Sequence, residues 1–178
     1  MILPASIRFK TSSSPQTVTP ADGTTQLTYS LTYPNEPLYA TPSVLIRKDP
    51  TPSQTENASL AGASFRIDYY DDIPRAMTGA VVTDFINTTA PAKTWQETSE
   101  ANGDVKINHS PYTDPSHPEN NNHIIPLGTV VITELTPPVN GRYYVNTTRV
   151  IATFTQNGNS VDARYYQLTD DGSWIPPT

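Results

Sequence analysis

The sequence predicts an all-β protein of antiparallel sheets, either a sandwich or an open barrel. Many short runs alternate apolar and polar residues, and threonine, valine and tyrosine dominate them. The 18 prolines and several Asn-Gly pairs separate these runs at the spacing of turns. No segment shows a convincing helical period. Short strands with turn signals between them are typical of sandwiches and barrels.

The strands follow from the alternation in chain order. We predict them at residues 6–11, 26–33, 43–48, 64–70, 129–135, 148–156 and 161–168. Among the turns, Asn157-Gly158 is a strong signal for a tight hairpin. Residues 78–87 fit either a short apolar helix or a strand, and residues 108–122 are rich enough in Pro, Asn, His and Ser to predict a long surface loop.

Composition excludes several classes of function. A net charge of −6 and a pI near 4.9 disfavour nucleic-acid binding, which needs basic surfaces. No apolar run approaches the roughly 20 residues of a membrane-spanning helix. The absence of cysteine excludes disulfides, thiolate metal sites and a cysteine nucleophile. The start Met1-Ile2-Leu3-Pro4 lacks the features of a signal peptide, so we expect an excised fragment if the protein is exported.

The most informative stretch is residues 127–144, in which one glutamate interrupts a β-branched strand. A carboxylate in an apolar strand costs free energy unless it is paired or hydrogen-bonded. Glu134 therefore either faces water from an edge strand or has a partner inside the protein. Both alternatives are open on the pattern alone.

Two motifs resemble those of a known family. Glu134, followed by Leu135-Thr136-Pro137-Pro138 and Gly141-Arg142-Tyr143, resembles the E-box of Gram-positive pilins and of Cna B-type, prealbumin-like surface modules. Upstream, residues 43–49 followed by Leu60-Ala61-Gly62-Ala63-Ser64-Phe65 are similar to the opening hairpin of that family. The motifs stand in the order of the family, and together they cover about residues 42–168.

The resemblance implies an immunoglobulin-like (prealbumin-like) antiparallel β-sandwich at residues 41–178. Residues 1–40 would be N-terminal strands or the tail of a preceding module. The implied role is a structural stalk or backbone module of an adhesin or pilus, extracellular and anchored to a Gram-positive cell wall. It would perform no turnover chemistry, and its partners would be neighbouring modules.

Two other functions are open. The module could itself be adhesive, binding host glycan or matrix protein through residues 71–125 and exposed aromatic side chains. It could instead be a decoration or structural protein of a phage or virion. An enzyme is the least favoured class, because no histidine stands beside a nucleophile and there is no phosphate-binding loop.

The resemblance also implies a site. In the family, the E-box glutamate often catalyses an isopeptide bond between a lysine of the first strand and an Asn or Asp of the last. Here the position of the nucleophile holds Arg47, which cannot deprotonate, and alternation points Lys48 to the other face. Asp162 is the available acceptor on the last strand. We therefore expect an ion pair of Arg47 with Glu134, with an isopeptide as the alternative.

No cofactor or metal is expected. His109, His117 and His123 lie in or beside one loop, but their spacing is not a recognised ligand pattern, so solvated loop histidines are the simpler interpretation.

Overall fold

The computed structural model describes residues 8–10, 36–42, 44–48, 59–114, 123–139 and 143–175. Within these ranges the chain forms antiparallel sheets and one short helix, which confirms the all-β class. The first strands and the helix are β1 (Arg8–Lys10), β2 (Glu36–Ala40), β3 (Ile46–Arg47), β4 (Ser64–Tyr70) and α1 (Gly79–Thr88). The rest are β5 (Lys93–Thr98), β6 (Asp104–Val105), β7 (Ile125–Pro126), β8 (Gly128–Thr136), β9 (Arg149–Asn157), β10 (Ser160–Leu168) and β11 (Trp174–Ile175).

The main sheet has six strands in the order β11-β10-β9-β8-β4-β5, and every neighbouring pair is antiparallel. β8 lies in its interior, and residues 128–132 of this strand are buried. A run of β-branched residues suits such a position, because both faces of the strand are covered. β9 and β10 form the hairpin that Asn157-Gly158 predicts, with Gly158 at a positive φ of 60°.

The two faces of this sheet bury different clusters. The inner face carries Ile67, Val130 and Phe154, which belong to the larger core cluster. The helix face carries residues of the opposite parity, such as Val131 and Ile151, against which α1 packs. Because side chains alternate along a strand, each residue of the sheet can be assigned to one of these faces.

Two smaller sheets cover the inner face: β1-β2-β7 and β3-β6. They contribute Leu38, Leu45, Val105 and Ile125 to the larger cluster. This arrangement of sheet on sheet is a β-sandwich. β2 falls within residues 1–40, yet it pairs with β7 and places Leu38 in the core.

Most predicted strands are present with small shifts at their ends. The open choice at residues 78–87 resolves to α1, in which Val82, Phe85 and Ile86 lie on the side that packs on the sheet. The predicted strand 43–48 shortens to β3. Of the strand predicted at 6–11, residues 8–10 are described; the strand predicted at 26–33 lies outside the described residues, as does 115–122 of the predicted loop.

β5 was not predicted from the sequence. In that strand the buried positions are Trp95 and Glu97, followed by Ser99, while the residues between them are exposed. Two of the three inward residues are polar, so the strand has no apolar alternation to detect.

Among the described residues, no helix combines the length and the apolar character that a bilayer crossing requires.

Candidate functional site: a buried lysine–glutamate pair

Glu134 lies near the end of β8 on the inner face, opposite Phe65 of β4. Its residue surface is 7% exposed, so the carboxylate is buried in the sandwich and does not face water. The register of β4 and β8 shifts between Ser64 and Phe65, which is a bulge beside the glutamate. The alternative of a solvated edge strand is therefore wrong.

Lys48 is the partner of this carboxylate. Its Nζ donates to Glu134 Oε1 at 2.9 Å and to Oε2 at 2.8 Å, and its side chain is 12% exposed. The two residues are 86 positions apart in the chain. The pair thus joins the residue that follows β3 to β8, an interior strand of the main sheet.

The expected pairing of Arg47 with Glu134 is wrong. Arg47 stands directly opposite Asp104 in the β3-β6 ladder, and its Nε donates to Asp104 Oδ1 at 2.6 Å. Its side chain is 58% exposed. The arginine bond holds the pKa of the Asp104 carboxyl below its usual value. The prediction from alternation was wrong because alternation does not hold here: Leu45, at the bend before β3, and Ile46 both pack on the core, and Lys48 lies beyond the end of β3.

A third hydrogen bond reaches the carboxylate from the chain before β9. The backbone N–H of Asn146 donates to Glu134 Oε2 at 3.0 Å. Because a buried ion pair is tolerated only when its remaining acceptor capacity is used, this bond helps to hold the charge in the interior.

Asp162, the predicted acceptor of an isopeptide, lies on the other side of the main sheet. It has the parity of Tyr166 on β10, whose ring belongs to the cluster of the helix face. Its Oδ2 accepts a bond from Asn157 Nδ2 at 3.0 Å. The sheet itself separates it from Lys48, so Asp162 cannot be the acceptor in this fold.

The pair contains two of the three groups that an amide condensation requires. An amine and a carboxyl are in direct contact in a nearly dry site, where a proton could pass between them. The third group is an acceptor, either a carboxamide or a carboxyl. The candidate beside the pair is Asn146, whose backbone N–H binds Glu134. However, Asn146 is exposed, and its Oδ1 already accepts a bond from the Thr148 N–H at 3.0 Å. The contacts of Lys48 and Glu134 therefore fit a structural ion pair better than a reactive site.

A cleft of about 1210 Å³ opens beside the pair. Its walls are the segments 44–48 and 163–167, and its floor includes Phe65, Ile132 and Val150. The pair therefore lies at the edge of a cleft that the described residues form, which accounts for the residual exposure of the Lys48 side chain.

A second buried glutamate, Glu97, was not anticipated from the sequence. Only 1% of its surface is exposed. Its Oε1 accepts bonds from Trp95 Nε1 and from the backbone N–H groups of Asn108 and His109, and its Oε2 lies 2.9 Å from His109 Nδ1. This carboxylate fixes the start of the loop after β6. His109 is therefore a loop anchor, although its side chain is 66% exposed.

Of the two other histidines, only His123 is among the described residues. His123 Nδ1 contacts the carbonyl oxygen of Ser110 at 2.7 Å, and His117 lies outside the described residues. In the described part of the chain, no group of three or more His, Cys, Asp or Glu side chains is arranged to hold a metal ion.

In comparisons with known proteins, no family model, curated protein or solved structure matches the chain.

Proposed function

We propose that this chain is a load-bearing structural module of an adhesin or pilus on the surface of a Gram-positive cell. It would space or support a binding tip and carry out no turnover chemistry. The observation that carries the proposal is the bond between Lys48 and Glu134. One of the two sequence motifs that resemble the surface modules contains Lys48 and the other contains Glu134, so the motifs meet at this bond.

The hydrogen bonds of the main sheet suit a load-bearing role. β8 is bonded along its length to β4 on one side and over residues 128–132 to β9 on the other. A pull along the strands loads these hydrogen bonds together instead of one at a time. The bond from Lys48 to Glu134 adds a cross-link from the short β3 to the same strand. A module under tension needs such a tie, because a two-residue strand contributes few ladder bonds of its own.

The test is single-molecule stretching of a polyprotein made of repeated copies of the chain. We expect K48M to lower the unfolding force, because the ion pair is lost. Its control is K93M, which removes an exposed lysine of β5 and should leave the force nearly unchanged. Equal forces for wild type and K48M would refute a mechanical role for the pair. Antibody labelling of intact cells that make the protein tests the proposed location separately.

An adhesive module is the second candidate, and one observation favours it. After β8 the chain exposes two apolar side chains, Val139 at 84% and Tyr144 at 95%. Exposed aromatic residues at a loop are common binding elements. A glycan array and a panel of matrix proteins test this function. Binding that Y144S abolishes would favour adhesion by this loop, and the absence of any binding would leave the structural role.

A further inference from the structure

β5 is the last strand of the main sheet, and it is bonded on one side only. The strand order ends with β5 next to β4, and among the described residues no other strand pairs with it. An unpaired edge presents backbone N–H and C=O groups that can add a further strand. The opposite edge strand, β11, is two residues long, and Pro176 and Pro177 follow it in the sequence. Because short strands and prolines discourage such pairing, β5 is the edge that is open to it.

The ladder with β4 shows which backbone groups of β5 are free. The N–H of Ser99 donates to the carbonyl oxygen of Ala63 at 2.9 Å, and the same register continues along the whole strand. In an antiparallel pair, hydrogen-bonded residues alternate with residues that are not bonded. The odd-numbered residues of β5 therefore bond to β4, and the N–H and C=O groups of Thr94, Gln96 and Thr98 point away from it. Within the described part of the chain these groups have no backbone partner.

The side chains along this edge do little to protect it. Thr94, Gln96 and Thr98 are exposed and uncharged, and Lys93 is the one exposed charge of the strand. β5 contains no proline, and its pairing with β4 has no register shift. Prolines, bulges and several charges are the usual means of blocking an edge strand. β5 is therefore a regular strand that can accept a partner.

The free edge is complementary to a second copy of itself. A two-fold axis at Gln96 places this residue opposite Gln96 of the second copy, and it places Thr94 opposite Thr98 of the second copy. These pairs are all of the hydrogen-bonded type, so the register satisfies every free N–H and C=O group of the three residues in both copies. It also sets threonine opposite threonine, a favourable pair across strands.

The charges near the axis are compatible with this pairing. Arg66 of β4 lies opposite Gln96, but its Nε donates to Asp68 Oδ2 at 2.9 Å, so its charge is compensated within its own copy. Within β5, the register places Lys93 diagonally across from Glu97 of the second copy, which has the opposite charge. The pairing therefore brings no like charges of β5 face to face.

We propose that β5 pairs antiparallel with β5 of a second copy of this chain and joins the two main sheets into one continuous sheet. The proposal does not depend on the structural role described above. The interface consists mainly of backbone groups of one short strand from each copy. We therefore expect a dissociation constant on the order of 0.1 mM, because few hydrogen bonds must offset the entropy of association.

The experiment is sedimentation velocity of the full chain at concentrations on both sides of that constant. The wild type should change from monomer to dimer as concentration rises. Q96P removes the N–H at the axis from both copies and should weaken association roughly tenfold or more. Because Gln96 does not bond to β4, the monomer does not need this N–H. Q96T is the matched control: it keeps the N–H and should associate like the wild type.

A covalent cross-link tests the register. The chain has no cysteine, so Q96C introduces a single thiol at the proposed axis. Residues in a hydrogen-bonded antiparallel pair have Cα atoms about 5.5 Å apart, which is within the range of a disulfide. Mild oxidation should therefore link two copies of Q96C. Q156C is the control, because it replaces an exposed glutamine of β9 away from this edge, and it should form dimers much more slowly.

Three results would overturn the proposal. A protein that stays monomeric at every concentration would leave the edge to a strand of another protein. Association that Q96P does not weaken would lie on another surface. Equal rates of disulfide formation in Q96C and Q156C would show that position 96 is not at an axis. If Q96P does not fold, the two cysteine variants still decide the question, since each keeps its backbone N–H.

Discussion

Gly103 and Lys48 are in direct backbone contact, and the contact sets the position of the lysine. The N–H of Lys48 donates to the carbonyl oxygen of Gly103 at 2.9 Å. Gly103 has a φ of +87°, and a Cβ at that position would collide with the Lys48 carbonyl oxygen. Only glycine allows the two chains to approach this closely.

The first prediction concerns this contact. G103A should destabilise the protein by more than about 1 kcal/mol, because both the left-handed conformation and the collision oppose a methyl group. G172A is the matched control: its φ is +82°, but nothing lies within 4 Å of the added atom. Urea unfolding of both variants checks the prediction. Similar losses in the two would show that backbone conformation alone matters and that the contact with Lys48 is unimportant.

The second prediction concerns the buried pair. K48M and E134L should each lower the free energy of unfolding by about 3 kcal/mol, because each leaves a buried polar group without its partner. The double variant K48M/E134L should recover much of that loss, since a well-packed apolar pair avoids the desolvation cost. Denaturant midpoints of the three variants measure this double-mutant cycle. Strict additivity of the two single losses would mean that the side chains do not interact.

The third prediction concerns the covalent state of the chain. We expect an intact mass equal to that of the sequence, because Asp162 lies across the sheet and the carboxamide of Asn146 is exposed and engaged in a turn. A loss of about 17 Da would instead show that lysine attack on an asparagine had released ammonia. In that case two single variants, N146A and K48M, should each have the full mass of their sequences, which would identify Asn146 as the acceptor.

The fourth prediction concerns alkaline pH. Burial raises the pKa of the phenols of Tyr69, Tyr70, Tyr112 and Tyr165 above the ordinary value of 10.0. In the unfolded chain these groups ionise near pH 10, whereas in the folded protein they stay neutral to higher pH. Stability is therefore full below pH 10 and falls as pH rises from there through the folded-state values. Urea unfolding across this range, with ultraviolet absorbance for phenolate, checks it. Y165F should flatten the fall.

The fifth prediction concerns Glu97. E97L removes both acceptor oxygens, so the three N–H groups that now bind Oε1 lose that partner. We expect a loss of about 1–3 kcal/mol. Faster amide exchange at residues 108 and 109 should accompany it. Unchanged exchange there would mean that the loop does not depend on this carboxylate.

The sequence by itself determined the all-β class and most strands of the main sheet. β4, β8, β9 and β10 have either alternating apolar residues or β-branched runs, and Asn157-Gly158 fixes one hairpin. These signals are local, because they depend on the two-residue period of a strand and on turn geometry. For Glu134 the pattern left two alternatives open, an edge strand that faces water and a partner inside the protein.

Only the tertiary structure decided which groups meet. Lys48 and Arg47 are adjacent cations, and a phase difference of one residue selects which of them enters the core. Arg47 is held outside the core by Asp104, which stands opposite it and lies 57 positions away in the chain, whereas Lys48 lies beyond the end of β3. The position of Asp162 was decided in the same way. Alternation along β10 divides its residues between two faces, but it does not show which face is turned towards Glu134. Pairings between distant strands are set by packing of whole layers, and no local pattern contains that information.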